Sequence, residues 1–330
     1  MKKLRHLAEY LFARLVLCMV DMLPVAFSEA LVAGLCDLLY FLSFRRRAVT
    51  IDNIMMSGLC SDRRAASRLG RKSFRHFGLV ILESLRSNSI LEGTDWRQHV
   101  DIRVSPELER ILFDPAKGLI MASGHFGSWE IAAQITSLAK PVAGVTHVMT
   151  NPYVERLMQK RKPRERFFLI PKYDRDNTGR FLKVLKDGHL LALMIDQHAS
   201  WGGMIVNFFG RPASTYRTVA ILHLVTGAPL CFGYCRRTSP HHYELVATGP
   251  YHYKPSGDRD ADIRRILEDL NQELEKAIRL APEQYLWGHR RWKVKETAPI
   301  SIISGVDKSS QSAQDSTSLK NDVAHVEALL

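Results

Sequence analysis

His125 and Glu130 stand five residues apart in the stretch Gly118-Leu-Ile-Met-Ala-Ser-Gly-His-Phe-Gly-Ser-Trp-Glu130. A short apolar run leads into a glycine-bearing turn, and a helical pattern begins at Trp129. The order places His125 in the turn, at a strand's carboxyl end, and Glu130 in the first helical turn. On one continuous helix, five residues would separate the two side chains by about 140°. With His125 outside the helix, the turn can fold the imidazole back onto the carboxylate. A His–Glu pair makes a general base, because the carboxylate fixes the tautomer and stabilises the imidazolium that forms. Gly124 and Gly127 permit the tight backbone, and the helix start offers N–H groups to an oxyanion or phosphate. The same spacing also suits a structural histidine bonded to a neighbouring carboxylate.

The chain has no GxSxG elbow, no GxGxxG and no P-loop. A base without a neighbouring nucleophile points to activation of a substrate hydroxyl or a water, hence direct transfer or hydrolysis without a covalent enzyme intermediate. His198, His241 and His242 lack metal-ligand spacing. The five cysteines, Cys18, Cys36, Cys60, Cys231 and Cys235, are odd in number, scattered and without a CxxC pair. They argue against a zinc site or a disulfide framework and for a reducing setting. No cofactor and no metal are expected.

The elements that must position these residues alternate. Strand-like runs are read at 118–122, 141–148, 167–170, 190–195, 205–209, 229–235 and 243–248. Helical patterns are read at 129–139, 152–161, 179–186, 213–225 and 260–280, and a long basic amphipathic helix at 61–86. Alternation of this kind predicts an α/β fold with a mainly parallel sheet flanked by helices, its chemistry beyond the carboxyl ends of the strands. Asp196 and Gln197 end a buried strand and fall in that position; a structural turn is the competing account. From about residue 297 the composition turns to Ser, Asp, Gln and Thr, which reads as a flexible tail.

At 330 residues, 46% hydrophobic and 24% charged, the chain can bury a sizeable core, which excludes a wholly disordered or collagen-like protein. The net charge is +12. The tail carries two lysines against four acidic residues, so the body carries about +14 and favours an anionic partner. No nucleic-acid-binding pattern accompanies that charge, so no nucleic acid is expected as a partner. Arg63, Arg64, Arg68, Arg71, Lys72 and Arg75 give the basic helix either a solvated face or a face for an anionic surface.

Residues 22–44 are long enough to span a bilayer but include Glu29 and Asp37, each costing about 2.5–3.5 kcal/mol at mid-bilayer. Eight residues apart, the two lie about 80° apart on a helical wheel and share one face. Arg45-Arg46-Arg47 follows. The better reading is two amphipathic helices joined near Pro24, lying in a membrane interface or packed on the protein's own body.

His125-Phe-Gly-Ser-Trp-Glu130 is an H-x4-E motif that resembles the glycerolipid acyltransferase superfamily. Three further blocks resemble, within it, the late acyltransferases of lipid A biosynthesis, the lauroyl/myristoyl type. Asn151-Pro152 is followed by Arg164; Asp196-Gln197 is followed by Asn207-Phe-Phe-Gly-Arg-Pro-Ala213; Ala281-Pro-Glu-Gln-Tyr-Leu-Trp-Gly-His-Arg-Arg-Trp-Lys293 closes the body. Asn53, and Glu83 with Arg86, also fit, and the resemblance covers about residues 5–295. One departure is His147, where the family commonly has an Arg four residues before the Asn-Pro pair. The resemblance implies a glycerolipid-acyltransferase-like domain over 48–296; with the readings above, membrane-associating helices over 1–47 precede it and a flexible tail over 297–330 follows.

It also implies an activity: transfer of an acyl chain from acyl carrier protein, or acyl-CoA, to a hydroxyl of an anionic glycolipid, a lipid A precursor, at the cytoplasmic face of the bacterial inner membrane. His125 and Glu130 would be catalytic, and Arg164, Asp196, Gln197, Asn151 and His147 would bind substrate. Phe208 and Phe209 would line an acyl channel or pack in the core. The Arg290–Lys293 cluster would meet headgroups or an acidic carrier, or end the body in solvent.

Overall fold

The computed structural model describes residues 2–91, 96–161, 166–172 and 176–293. Three helices, α1 (Lys2–Met22), α2 (Val25–Leu42) and α3 (Phe44–Met56), lead into the long α4 (Arg63–Leu91). Then come β1 (Val100–Val104), α5 (Pro106–Phe113), β2 (Leu119–Ser123), α6 (Trp129–Ala139), β3 (Val142–Thr146), α7 (Pro152–Arg161), β4 (Phe167–Pro171), α8 (Asn177–Lys186) and β5 (Leu190–Met194). A hairpin, β6 (Gly203–Phe208) and β7 (Arg211–Tyr216), precedes α9 (Thr218–Thr226), β8 (Leu230–Ser239), β9 (His242–Tyr251) and α10 (Arg259–Leu280).

Seven strands form one sheet in the order β1-β9-β8-β2-β5-β3-β4. Every neighbouring pair in it is parallel except β8 with β9. β2 and β5 lie at its centre, covered on both faces, which is why they are continuous apolar runs rather than alternating ones. Successive residues still face opposite layers. Ile120 and Ala122 pack with Leu191, Leu193 and the buried stripe of α10, Ile263, Leu267, Leu270 and Leu274. Leu119 and Leu190 pack with Leu108 and Ile111 of α5. Local chemistry sets the helix starts. Ser105 accepts the Leu108 N–H at 3.2 Å and Asp258 accepts the Ala261 N–H at 3.0 Å, each meeting an otherwise orphaned donor. At the sheet's amino end Lys140 is buried, its ammonium spread over the carbonyls of Asp114, Lys117 and Gly188 at 2.6–2.9 Å.

The mainly parallel α/β sheet follows the alternation read from the sequence, with two differences. β1 and α5 carry no strong pattern and go unread. The expected helix over 213–225 is instead β7 followed by α9. The turn Phe209-Gly210, both residues at positive φ, folds β7 back on β6 from Phe208↔Arg211 to Gly203↔Tyr216, and this takes the first residues of the apolar run out of the helix.

The N-terminal helices break near Pro24 as expected. The two acids of α2 do share a face, and that face looks inward. Asp37 is gripped by Arg71 and Arg75 of α4, each Nε at 2.7 Å. Glu29 accepts Arg237 Nη2 of β8 at 2.7 Å. The opposite face leaves Phe27, Leu31, Leu35, Leu38 and Leu42 each about half exposed. Part of the basic stripe on α4 is therefore committed to holding α2, and Arg63 is paired with Asp52 at 2.9 Å. All five cysteines are free.

Arg237 also donates Nε to Glu83 Oε1 at 2.7 Å, and Glu83 is 3% exposed. Arg237→Met would leave that buried carboxylate without its cationic partner, with the Ser128 hydroxyl still donating to it, and is expected to cost about 3–5 kcal/mol. Arg63→Ala, which breaks an exposed pair, should cost less than about 1 kcal/mol. Denaturant unfolding in detergent micelles compares the two; similar small losses would show that Glu83 tolerates isolation.

Candidate active site

The turn between β2 and α6 crosses the carboxyl end of the sheet, and its backbone admits few alternatives. Gly127 has φ 63°, and a Cβ there would sit 1.9 Å from the Cys235 carbonyl oxygen. Gly127 N–H donates to Gln284 O at 3.0 Å, Ser128 N–H to Cys235 O at 2.7 Å, and Leu286 N–H to His125 O at 3.0 Å. Ser128, at the start of α6, donates its hydroxyl to Glu83 at 2.8 Å. The turn is thus held by β8, by α4 and by the chain segment after α10.

β5 runs beside β2 in register from Leu119↔Leu190 to Ser123↔Met194, so Asp196 arrives directly at the His125 turn. Asp196 has no solvent exposure. Its Oδ2 accepts the His125 backbone N–H at 3.0 Å and its Oδ1 meets His125 Nδ1 at 2.8 Å. Burial opposes the charged carboxylate, but the His125 imidazole and these hydrogen bonds outweigh it and hold the pKa at about 2. Ionised Asp196 must therefore receive a proton from Nδ1, which leaves Nε2 of neutral His125 as the basic atom. For His125 burial likewise disfavours charge, and the Asp196 carboxylate overcomes it and raises the pKa, with Lys172 opposing. Behind Asp196, burial and then the Asp196 charge push the Tyr285 phenol well above its ordinary value. Trp129 stands edge-on to His125 with ring centres 5.4 Å apart and stacks on Phe77 at 5.9 Å, fixing the imidazole plane.

His125 opens on a cavity of about 520 Å³. One arm runs beneath α6, between Ala132, Ala133 and Thr136 and the sheet residues Met121, Val142, Gly144 and Leu190. Another side is walled by Phe181, Val219 and Leu222. Polar groups in its wall include Glu130 of α6 and, at or just beyond strand ends, His147, Lys172, Gln197 and Tyr216. A mainly apolar cavity with a base and a few polar groups in its wall suits a substrate with a hydrocarbon chain and a polar head.

Of the residues singled out in the sequence, His125, Glu130, Asp196, Gln197 and His147 converge here. The carboxylate on His125 Nδ1 is Asp196, from just beyond β5, and Glu130, which the sequence set against His125, lines the same cavity. Asn151 lies elsewhere. It is buried, donates to His6 O and Glu9 Oε2, both at 2.8 Å, and accepts the Tyr153 N–H, tying α1 to α7. Arg164 falls outside the described residues, as does the tail from 294 onward. Glu83 holds Ser128 and Arg237, and Arg86 donates to the carbonyls of Val20 and Leu23. Phe208 packs in the core against Trp292, and Arg291 is buried, donating to Ser214 O and Thr215 Oγ1. Lys172, Tyr216 and His289 went unnoticed in the sequence. The placement of Lys172 just after a strand was the one available signal, by the same rule that picked out Asp196.

Residues 1–294 match the family model described as bacterial lipid A biosynthesis acyltransferase. The chain is 24% identical over 271 residues to a lipid A biosynthesis palmitoleoyltransferase of Escherichia coli (strain K12), covering 78% of this chain and 82% of that protein. A lipid A biosynthesis acyltransferase of Shigella flexneri is similar to the same extent. A lipid A biosynthesis lauroyltransferase of Escherichia coli (strain K12) is 26% identical over 182 residues, covering 54% of this chain and 57% of that protein.

The geometry makes one prediction that needs no substrate. Asp196→Asn removes the charge that raises His125 but leaves its burial, so His125 should titrate at lower pH than in the wild type. Histidine NMR across the pH range measures this, and an unchanged midpoint would release Asp196 from its role.

Proposed function

The chain belongs to the bacterial lipid A biosynthesis acyltransferase family and is an O-acyltransferase; from that premise we propose a direct transfer in which His125 is the general base and Asp196 its partner. The observation that carries the reading is the His125–Asp196 pair opening on the 520 Å³ apolar cavity. The acyl chain of a thioester donor, acyl carrier protein or acyl-CoA, lies in the arm beneath α6, where each buried methylene contributes about 0.8 kcal/mol. The hydroxyl of the lipid A precursor approaches His125 Nε2. As its oxygen bonds to the thioester carbonyl carbon, its proton passes to Nε2 and the imidazolium is stabilised by Asp196. Collapse of the tetrahedral intermediate breaks the C–S bond, and the departing sulfur takes the proton back from His125. Glu130, in the same cavity, acts on the acceptor or on the developing charge rather than through Nδ1.

The anionic head of the acceptor is met by basic groups. Lys172 and His147 line the cavity, and Arg164 takes the phosphate-binding role the family resemblance gives it, since a guanidinium matches phosphate bidentately. The outward faces of α1 and α2 form the membrane-contacting surface. Leu4, Leu11, Phe12 and Met22 on α1, with Phe27, Leu31 and Leu42 on α2, are exposed, and a soluble monomer rarely shows so continuous an apolar patch. α2 is long and apolar enough to cross a bilayer by composition, but its acids are spent on the protein's own arginines, which favours a helix lying in the interface. Arg45–Arg47 at its end suit an anionic cytoplasmic leaflet, so we place the protein at the cytoplasmic face of the inner membrane.

Three measurements test this reading. Purified protein with acyl carrier protein or CoA thioesters and a lipid A precursor should add one acyl chain, read by lipid mass spectrometry; free fatty acid alone would make it a thioesterase. Folded His125→Ala should lose about 10²–10⁴-fold in kcat, and near wild-type transfer would remove His125 from the mechanism. High salt should extract the protein from membranes only partly, because apolar burial is not screened as charge attraction is. Full release by salt would leave only an electrostatic attachment.

A further inference from the structure

The segment after α10 does more than close the core. It brings His289 opposite His125, with ring centres 5.5 Å apart. Gln197 stands between them, its amide nitrogen 3.4 Å from His125 Nε2 and 3.2 Å from His289 Nε2. His289 sits in a stretch without regular structure, yet its backbone is clamped by α3. Asn53 donates to Trp287 O at 2.7 Å and also to His289 O, and Arg46 donates to Gly288 O at 2.9 Å. The family reading gives Gln197 a substrate-binding role and His289 none.

A primary amide has a donor side and an acceptor side. With its NH2 toward both rings, Gln197 requires a lone pair on each Nε2, which is the form of His125 that accepts a proton. With its carbonyl turned to His125, the amide would accept from Nε2–H and stabilise the imidazolium. We propose that His289 is a positioning residue that takes one amide hydrogen of Gln197, aims the other at His125 Nε2, and so keeps His125 in its unprotonated, base-competent form. This rests on the acyl-transfer reading for its function, but the geometry is independent of it.

The charged and titratable groups around the pair are limited. Asp196 faces His125 from β5, Lys172 from the end of β4, Glu130 from α6, and Tyr285 and Arg291 lie near Asp196 from the closing segment. Arg46 of α3 faces His289. Burial above all, and then His125, shifts His289 toward its neutral form; the Asp196 carboxylate, which faces it too, opposes this and Arg46 adds to it. The hydrogen-bonded link from His289 to His125 runs through Gln197.

The experiment is the pH dependence of kcat/KM for acyl transfer by the full-length protein, with His289→Ala, His289→Phe, Gln197→Met and the double variant Gln197→Met/His289→Ala. Histidine NMR titration of His125 accompanies each. Removing His289 frees the amide to turn, so the acid limb and the His125 midpoint should move upward by about half to one pH unit, the worth of one neutral hydrogen bond. Transfer should fall at neutral pH, recover at higher pH, and show little change in KM. In the Gln197→Met background, removal of His289 should cause no further shift. A loss that is equal at every pH, or an unmoved His125 midpoint in folded His289→Ala or His289→Phe, would overturn the proposal. A further shift in the double variant would do the same. Absence of transfer by the wild type would instead defeat the acyltransferase mechanism, while the NMR titrations would still decide the role of His289.

Discussion

A carboxylate with no contact to water must be met by donors on nearly every lone pair, or it costs several kcal/mol and takes up a proton. Asp196 is such a group, and meeting its needs organises the centre of the molecule. Two of its donors belong to His125, one on the backbone and one on the ring, and Tyr285 lies against it. These residues come from the end of β5, the turn after β2 and the segment after α10. The charge can be buried only if β2 and β5 are neighbours, if the turn is tight enough to present both an N–H and an Nδ1–H, and if the end of the body returns to the same place. The Ile195 N–H on Ser123 O at 2.9 Å, the Leu286 N–H on His125 O and the obligatory Gly127 are the means.

The same rule explains the N-terminal helices. α2 carries two acids that neither a membrane nor a protein interior accepts alone. Arg71 and Arg75 take one and Arg237 takes the other. α4 serves both ends of the protein. It supplies the arginines that hold α2, the glutamate that holds Ser128 at the start of α6, and Ser73, whose hydroxyl reaches Tyr285 O at 2.6 Å. One rigid helix therefore connects the apolar outer surface with the turn that carries His125.

Much of this was legible in the sequence because it is local. The strand at β2, the helices at α6 and α7, the break near Pro24 and the common face of Glu29 and Asp37 follow from periodicity and punctuation over a few residues. The motif at 118–130 singled out His125, and the rule that sites gather at strand ends singled out Asp196 and Gln197, which the fold brings together. The hairpin at β6–β7 was misread because an apolar run hides a two-residue turn whose first member, Phe209, is an unusual residue at positive φ. The family resemblance suggested a substrate role for Asn151, and the cluster Arg290–Lys293 suggested headgroups, a carrier or solvent for Arg291. Both are buried and hydrogen-bonded to groups far away in the chain, contacts of which a sequence carries no periodic trace.

The sequence by itself determined the class of fold and the family, and it singled out His125, since each is written in residues that are close together or in a fixed order. The tertiary structure alone decided which carboxylate meets His125 Nδ1. Glu130 was the nearest acid along the chain, but α6 carries it into the cavity wall, and strand order brings Asp196 from 71 residues away onto Nδ1. The same holds for His289, 92 residues from the Gln197 it touches. Pairings of this kind are fixed by which strands lie side by side and by which buried charge must be satisfied, and both are properties of the packed molecule rather than of any local stretch.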